Sequence, residues 1–502
     1  MARRAQAMVA PRYAMLGMPE WLPDLPDWGN PGCTVATNVI PAANSYRPFP
    51  GSTEVSAAMG ARVQGAFACT DSDGNTVVFA GTATTLYKFS NADSTWEDVT
   101  RTSGGAYSTE ADGFWSFAKF GTRIIATNFV DDVQSFVLGS STDFAALAGS
   151  PPRAKFVAVA GEQVFLGRLA TDPQGVAWCG IDDPTTWASS QTTLADSQAL
   201  VGEGGHVTGL VGGDYVTVYQ ERAIFRADFI GAPVIWQFRN VVQNRGCKAP
   251  QSVIPVNKGS FFLADDGFYF FDGARSNEIG KNKVDKTFFT LLDADYLHRI
   301  NGTVDPINSL VMWGFPSGAT AGTPNRMLIY NYSIGRWSQV TGVEYEFLFP
   351  DLSKGYTLEQ LDAINASLDA LPFSLDSRAW TGGNLILAAF NTDHELVAFN
   401  DTYLAATVET AEREMCAPYR CFVSNVRPIV EGTSVTVTCA LGYREVSSAS
   451  PSYTSAVSVN SIGYAPMRNS SRKHRVRISV AAAGTWSHIA GAEVEFQPDG
   501  MR

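Results

Sequence analysis

Histidine is scarce in this chain of 502 residues, with five in all, and charged side chains make up only 17%. None of the five, His206, His298, His394, His474 and His488, stands in a close metal-binding pair or near a Gly-x-Ser-x-Gly elbow, so zinc-assisted and nucleophilic chemistry find no support. No run approaches the roughly 18 apolar residues that span a bilayer. The basic opening, Met1-Ala-Arg-Arg-Ala-Gln-Ala-Met8, is not followed by the apolar stretch of a secretory signal. We therefore expect no stable membrane insertion and no export by that route. The seven cysteines, Cys33, Cys69, Cys179, Cys247, Cys416, Cys421 and Cys439, are scattered and odd in number, which fits a reduced chain assembled in a cytoplasm. Cys416 and Cys421 form the one close pair, but no second pair or neighbouring histidine completes a zinc site. No metal and no cofactor are expected.

Positive charge is also in deficit: 37 basic against 49 acidic side chains give a net charge of -12. A dedicated nucleic-acid binder needs cations to displace counterions from phosphate, so strong DNA affinity is disfavoured. The same balance is compatible with DNA in transit, because a wall that repels phosphate lets a duplex slide without sticking.

What is abundant is apolar and turn-forming. The sequence is 45% hydrophobic and 12% aromatic, with 45 glycines and 25 prolines. Short aromatic and β-branched runs between such punctuation indicate an all-β protein, and the length calls for more than one structural unit. Strand-like runs occur at Thr76–Gly81, Arg123–Thr127, Lys155–Ala160, Tyr215–Tyr219, Ser260–Ala264 and Ser309–Phe315. Each repeat ends on a bulky aromatic, Trp96, Phe144, Trp187, Trp236, Phe288 and Trp337, at spacings of 48, 43, 49, 52 and 49 residues. That period suits β-propeller blades, whose four-stranded sheets bury both faces against their neighbours. The aromatics would fill the wedges between sheets, with Trp96, Trp187, Trp236 and Trp337 as blade-core residues. Six degenerate blades can be counted, and Asn384–Phe390 with Glu395–Phe399 offers material for a seventh. Asp73-Gly74 and Asp266-Gly267 have the chemistry of tight hairpin turns.

Around this repeat lie three further regions. Residues 1–55 read as an extended N-terminal arm, since Trp21 to Gly51 is studded with Pro23, Pro26, Pro31, Pro41, Pro48 and Pro50. Such an arm can wrap a neighbour or lie on its own subunit. Residues 56–350 form the propeller. Residues 351–415 hold a helix over Leu358–Ala370, with Thr357 and Gln360 as a capping box, plus strands of a possible closing blade. From 416 to 502 a small C-terminal β-domain is expected, with alternation in Ser434–Cys439 and His474–Val480.

Candidate chemistry is thin. Asp71-Ser-Asp-Gly-Asn75 starts like a calcium loop, but the twelfth position is Thr82 in place of the bidentate glutamate, which leaves a hairpin turn. Gly204, Gly205, Gly209, Gly212 and Gly213 lack the Gly-Lys-Ser/Thr of a phosphate cradle and read as blade-junction turns. The acid pairs Asp131/Asp132, Asp182/Asp183 and Asp265/Asp266 are adjacent, so on a strand they point to opposite faces; turn tips suit them better. The strongest charge feature is Arg472, Lys473, Arg475 and Arg477. The last three share one strand face, read either as a solvated outer face or as a contact to an acidic subunit or DNA phosphate.

Several stretches resemble the tail nozzle, or packaged-DNA stabilisation, proteins of short-tailed bacteriophages. They are Pro23-Asp-Leu-Pro-Asp-Trp28, Asn38-Val-Ile-Pro-Ala-Ala43, Tyr46-Arg-Pro-Phe-Pro-Gly51, Asp182-Asp-Pro-Thr-Thr-Trp187, Leu358-Glu-Gln-Leu-Asp362 with Ser374-Leu-Asp-Ser377, and Arg472–Val480 followed by Gly484-Thr-Trp486 and Gly491-Ala-Glu-Val-Glu-Phe496. The resemblance implies a non-enzymatic virion tail subunit in a homohexameric ring. It would dock to the adaptor and portal ring, carry tail fibre or spike proteins, retain packaged double-stranded DNA and pass it, without sequence specificity, at ejection. The competing expectation is a glycan-binding or glycan-cleaving propeller used in host attachment, with carboxylates drawn from different blades.

Overall fold

Short apolar strands separated by tight turns pair with their immediate chain neighbours, and the computed structural model describes the result for residues 12–91, 93–352 and 385–500. Seven antiparallel four-stranded units follow one another around a ring. Blade 1 comprises Gly65–Thr70, Thr76–Gly81, Leu86–Ser90 and Thr95–Asp98; blade 2, Ser116–Phe120, Arg123–Thr127, Gln134–Val137 and Ala145–Ala146. Blade 3 runs from Ala154–Ala160 through Gln163–Leu169 and Gly175–Trp178 to Asp196–Ala199, and blade 4 from Val207–Val211 through Val216–Gln220 and Ala223–Gly231 to Ile235–Gln243. Blade 5 is Ile254–Val256, Gly259–Leu263, Phe268–Phe271 and Ser276–Glu278, and blade 6 is Asn301–Asp305, Leu310–Phe315, Arg326–Asn331 and Arg336–Thr341. The protein is an all-β propeller.

Its seventh blade is composite. Phe347–Leu352, Leu385–Phe390 and Leu396–Ala398 supply three strands, and the outermost comes from Thr53–Glu54, ahead of blade 1. The expected strands near 384–399 are therefore present, and the ring closes because both ends of the propeller share one sheet. The first strand of each blade lies innermost, touching the first strands of its neighbours, with the 3-10 turn Pro250–Ser252 intervening between blades 4 and 5. Phe347–Leu352 meets Gly65–Thr70 and completes the circle.

The repeating aromatics join blade to blade. Trp96 packs on Phe390 of blade 7 with ring centroids 5.6 Å apart, and Phe144 meets Phe79 of blade 1 at 5.6 Å. Trp236 stands edge-on to Phe165 of blade 3 at 5.0 Å while its indole N–H donates to Gln163 at 2.8 Å. Trp337 lies 5.4 Å from Phe268 of blade 5, and Phe288 sits between Phe268 and Phe315 on a short helix, Asp285–Leu291. Trp187 is half-buried in the loop before the last strand of blade 3. At Gly212, in a hairpin of blade 4, a Cβ would come within 1.9 Å of the Val159 carbonyl, so the blade 3–4 junction requires glycine there.

Two boundaries differ from expectation. Of the expected arm, residues 12–55 are not a separate unit but lie on their own subunit as strands of its sheets. Cys33–Thr37 is inserted between Arg336–Thr341 of blade 6 and Ala406–Thr410, while Val39–Ala42 and Ser45–Pro48 pair with each other and then with Thr485–Pro498. Nor is the C-terminal β-domain built from 416–502 alone. One of its sheets extends blade 6 through Cys33–Thr37, Ala406–Thr410, Lys473–Val480 and Val437–Arg444; the other stacks Thr485–Pro498 on Cys421–Ser434 and Ala465–Ser471, with Arg12–Gly17 paired to Thr485–Pro498. A single core runs from Phe261 and Trp313 of blades 5 and 6 to Val423, Ile478 and Trp486. The Ser434–Cys439 run does not make one strand, because a break at Val435-Thr436 divides it between two strands. The helix expected at Leu358–Ala370, and Ser374–Ser377, lie outside the described residues.

Candidate functional site

The basic run at 472–477 lies on the central strand Lys473–Val480, flanked by Ala406–Thr410 and Val437–Arg444. Alternation sends His474, Val476, Ile478 and Val480 into the core and Lys473, Arg475 and Arg477 to the other face, as expected. That face is not a solvated outer surface. Lys473 and Arg475 are 5% and 6% exposed, because the Asp24–Trp28 stretch of the N-terminal region and a run of glutamates cover them.

The covering groups neutralise the bases one for one. Arg475 bonds Asp27 at 2.8 Å and Glu409 at 3.3 Å, and Arg477 bonds Glu409 at 2.6 Å. Lys473 reaches Glu412 at 3.2 Å and Glu414 at 3.4 Å, with its ammonium 4.8 Å above the Trp28 ring. Arg444 joins Asp27 at 2.9 Å and Glu412 at 2.5 Å. Glu409, 1% exposed, also accepts from Thr34 and Tyr453 hydroxyls at 3.1 and 3.0 Å. Burial alone would lower the Arg475 pKa, but Asp27 and Glu409 together hold it above its usual value. Four bases thus meet four acids, Asp27, Glu409, Glu412 and Glu414. Such a network adds little net stability over an apolar core, yet it fixes which segments meet, since a wrong partner leaves a buried charge unpaired. Of the basic run only Arg472 stays exposed, with no carboxylate oxygen within 4.0 Å of its charge among the described residues.

Sequence reasoning missed Asp27, Glu409, Glu412, Glu414 and Arg444. The acidic spacing Glu409-Thr-Ala-Glu-Arg-Glu414, opposite a basic run on a strand of matching alternation, was the available signal.

Four of the stretches that carry the resemblance, in residues 23–51 and 472–496, lie in this part of the molecule. Asp24 accepts from the backbone N–H groups of Lys286 and Thr287 at 2.8 Å each, capping the Asp285–Leu291 helix, and Glu20 pairs with Lys283 at 2.7 Å. Tyr46 donates to the Pro19 carbonyl at 2.9 Å beneath the Arg336 guanidinium. Gly491 lets Leu16 approach so closely that a Cβ would lie 2.5 Å from its carbonyl. Asp182–Trp187 stands apart on blade 3, where Asp183 accepts from the Thr185 and Thr186 hydroxyls at 2.6 Å each and Trp187 donates to Pro184.

The remaining candidates have local partners. Asp71 accepts from the Asp73 and Asn75 amides at 2.9 and 2.8 Å in a hairpin turn. Asp131 bonds Arg101 at 2.7 Å; Asp265 and Asp266 bond Lys248 and Arg245. His394 bonds Glu346 at 2.9 Å, and His488 bonds Ser45 at 3.1 Å. All seven cysteines are buried and free. Among the described residues there is no cluster of three or more metal-ligating side chains, and no helix is long and apolar enough to cross a membrane.

Two of the concave features lie where the blades meet. A groove of about 580 Å3 opens between blades 5 and 6, lined by Phe261, Phe270, Tyr330, Tyr332, Asn257, Asn277 and Lys258 among others. The central channel holds a cavity of about 340 Å3 lined by residues of the inner strands.

No protein-family model matches this chain, and no curated protein does. Solved structures do. A chain of a mitotic checkpoint complex is 12% identical, with 72% of this chain and 98% of that one covered and a TM-score of 0.40. The computationally designed protein Ika8 is 10% identical over 74% and 96%, with a TM-score of 0.39, and YCF48 bound to a D1 peptide is 13% identical over 72% and 97%, with a TM-score of 0.37. The propeller itself rests on the strand order given above.

Proposed function

We propose that the protein is a structural subunit of a short-tailed phage tail nozzle, a non-enzymatic wall element of a ring that retains packaged DNA and passes it at ejection. One observation carries this reading. Four of the resembling stretches, scattered over residues 23–51 and 472–496, belong to a single body, in which the N-terminal strands and the last strands share two sheets and one ion-pair network, while Asp182–Trp187 lies apart on blade 3. A signature that meets in space describes an architecture. The net charge of -12 fits a duplex passing without adhesion. In this reading the partners are further copies of the chain in a homohexamer, the portal-adaptor ring, and fibre or spike proteins.

The test is assembly. Purified chain, alone and mixed with the adaptor of its own phage, should form a six-fold ring in electron microscopy and mass photometry, with an acidic lumen. Monomers under both conditions, or a strongly basic lumen, would overturn the reading.

The blade 5–6 groove favours a second reading, host glycan binding. Phe261, Phe270, Tyr330 and Tyr332 offer ring faces, and Asn257 and Asn277 offer amides, the pairing that sugars stack on and bond to. The groove's lining contains no carboxylate, so it suits binding and not hydrolysis. Saturable binding of host surface polysaccharide, lost on replacing Tyr332 by alanine, would promote this reading over the nozzle.

A further inference from the structure

One mouth of the propeller channel gathers cations that have no carboxylate partner among the described residues. The inner strands of the blades all begin at the same end of the channel, so residues just ahead of them collect there. Arg62 precedes Gly65–Thr70 of blade 1, Lys155 stands at the start of Ala154–Ala160 of blade 3, and His298 and Arg299 precede Asn301–Asp305 of blade 6. All four are half-buried. Among the described residues no carboxylate oxygen lies within 4.0 Å of the Arg62, Lys155 or Arg299 charge. Arg62 donates to the Ala111 carbonyl at 2.8 Å, and the Lys155 ammonium lies 5.1 Å over the Phe114 ring. The nearby Glu346 is already engaged by His394 and by the Val63 N–H, each at 2.9 Å.

The electrostatics agree with this geometry. Burial, and then the neighbouring Arg299, lower Arg62 to about 10, with Glu346 opposing. Burial, with Arg168 adding to it, lowers Lys155, and Asp112 and Glu110 offset only part. Burial and then Arg299 lower His298, Asp112 opposes them, and Arg62 and Lys155 add smaller effects, so charges from blades 1, 3 and 6 sense one another across the axis. Burial lowers Arg299 as well. Cations held together in partial desolvation are relieved by an incoming anion. Behind the mouth, the cavity of about 340 Å3 is lined by Phe114, Phe156, Asn301 and Phe347.

We propose that this mouth is a binding site for a small phosphate-class oxyanion, held by Arg62 and Arg299 from the blades flanking blade 7 and by Lys155 from blade 3 across the axis. It stands independently of the tail-nozzle reading. Isothermal titration of the full chain with inorganic phosphate at constant ionic strength should give saturable binding at one site. Affinity should fall at least tenfold in R62Q and in R299Q and stay unchanged in R472Q, which alters an exposed arginine of the C-terminal strands. Thermal melting in chloride supplies the second readout. An arginine disfavoured where it sits should be replaceable without loss, so R299Q should melt at or above the parent in the absence of phosphate. Absence of saturable binding, retention of it in both R62Q and R299Q, or an R299Q protein that melts several degrees lower in chloride overturns the proposal.

Discussion

Replacing Asp285 by asparagine should stabilise the protein, and by more as pH rises. Asp285 opens the Asp285–Leu291 helix and is only 9% exposed. Its carboxyl lies against two glycine backbones: a Cβ on Gly280 or Gly267 would come within 1.9 or 2.2 Å of its oxygens. It accepts a bond from the Phe268 N–H at 3.2 Å, whereas the helix N–H groups of Lys286 and Thr287 that would favour a nearby anion are taken by Asp24. Burial first, and then Asp24, Asp266 and Glu278, push its pKa from 3.8 to about 7. The folded state therefore binds this proton more tightly than the unfolded chain. That contribution is complete below the unfolded value and is lost as pH rises through about 7. At about 1.36 kcal/mol per pKa unit, the wild type forfeits roughly 3 kcal/mol between pH 5 and pH 8 that an asparagine does not. Asparagine keeps an oxygen for the Phe268 N–H and carries no titrating proton. Urea unfolding of both proteins at pH 5, 6, 7 and 8 and equal ionic strength reads the difference directly. A gap that stays constant with pH, or that closes as pH rises, would refute the reasoning.

Glu409→Gln should cost about 3–5 kcal/mol in chemical denaturation, because Arg475 is left buried with its pairing weakened. His474 is lowered to about 4 by burial and then by Arg420, so its contribution is present above the unfolded value of 6.5 and lost as pH falls from there to about 4. Acid titration of stability should show a loss of about 3 kcal/mol over that window, absent in His474→Gln. Deleting residues 1–55 should give insoluble or unfolded protein, because it removes an internal sheet strand and the closing strand of blade 7; a monodisperse, folded truncation would show that these residues are an arm after all.

The repeat was legible because its signal is physical at short range. Bulky aromatics at spacings of 43 to 52 residues mark where one sheet must fill the wedge beside the next, and Trp96, Phe144, Trp236 and Trp337 make such contacts. The phase within the repeat was less secure. The expected runs fall on second strands in blades 1, 2, 4, 5 and 6, but Lys155–Ala160 belongs to the first strand of blade 3, since Gln163–Leu169 is equally apolar. Closure was illegible. Thr53–Glu54 is two exposed residues whose pairing partners, Ala398 and Val397, lie more than 300 positions away. Prolines misdirected the arm: Pro41 and Pro48 sit within short strands at the margin of a sheet, where a missing N–H is tolerated. For the basic run, alternation gave the correct faces but not what covers them, because cover is a property of Asp27 and Glu409 at distant positions.

The ion-pair network changes what the overall charge means. Lys473, Arg475 and Arg477 looked available to phosphate in the sequence, yet together with Arg444 they are matched by Asp27, Glu409, Glu412 and Glu414. Removing four side chains of each sign leaves the balance at -12, so the rest of the molecule carries the whole acidic excess. In the nozzle reading a duplex would then face a surface that repels it, with the densest basic run of the sequence turned toward its own chain. The unpaired cations at Arg62, Lys155 and Arg299 are the local exception. They stand at the mouth of the channel, ahead of a cavity of about 340 Å3 that has room for a small anion and not for a duplex. If both proposals hold, the phosphate site lies where a duplex does not reach, and passage without adhesion is compatible with a phosphate site on the same subunit.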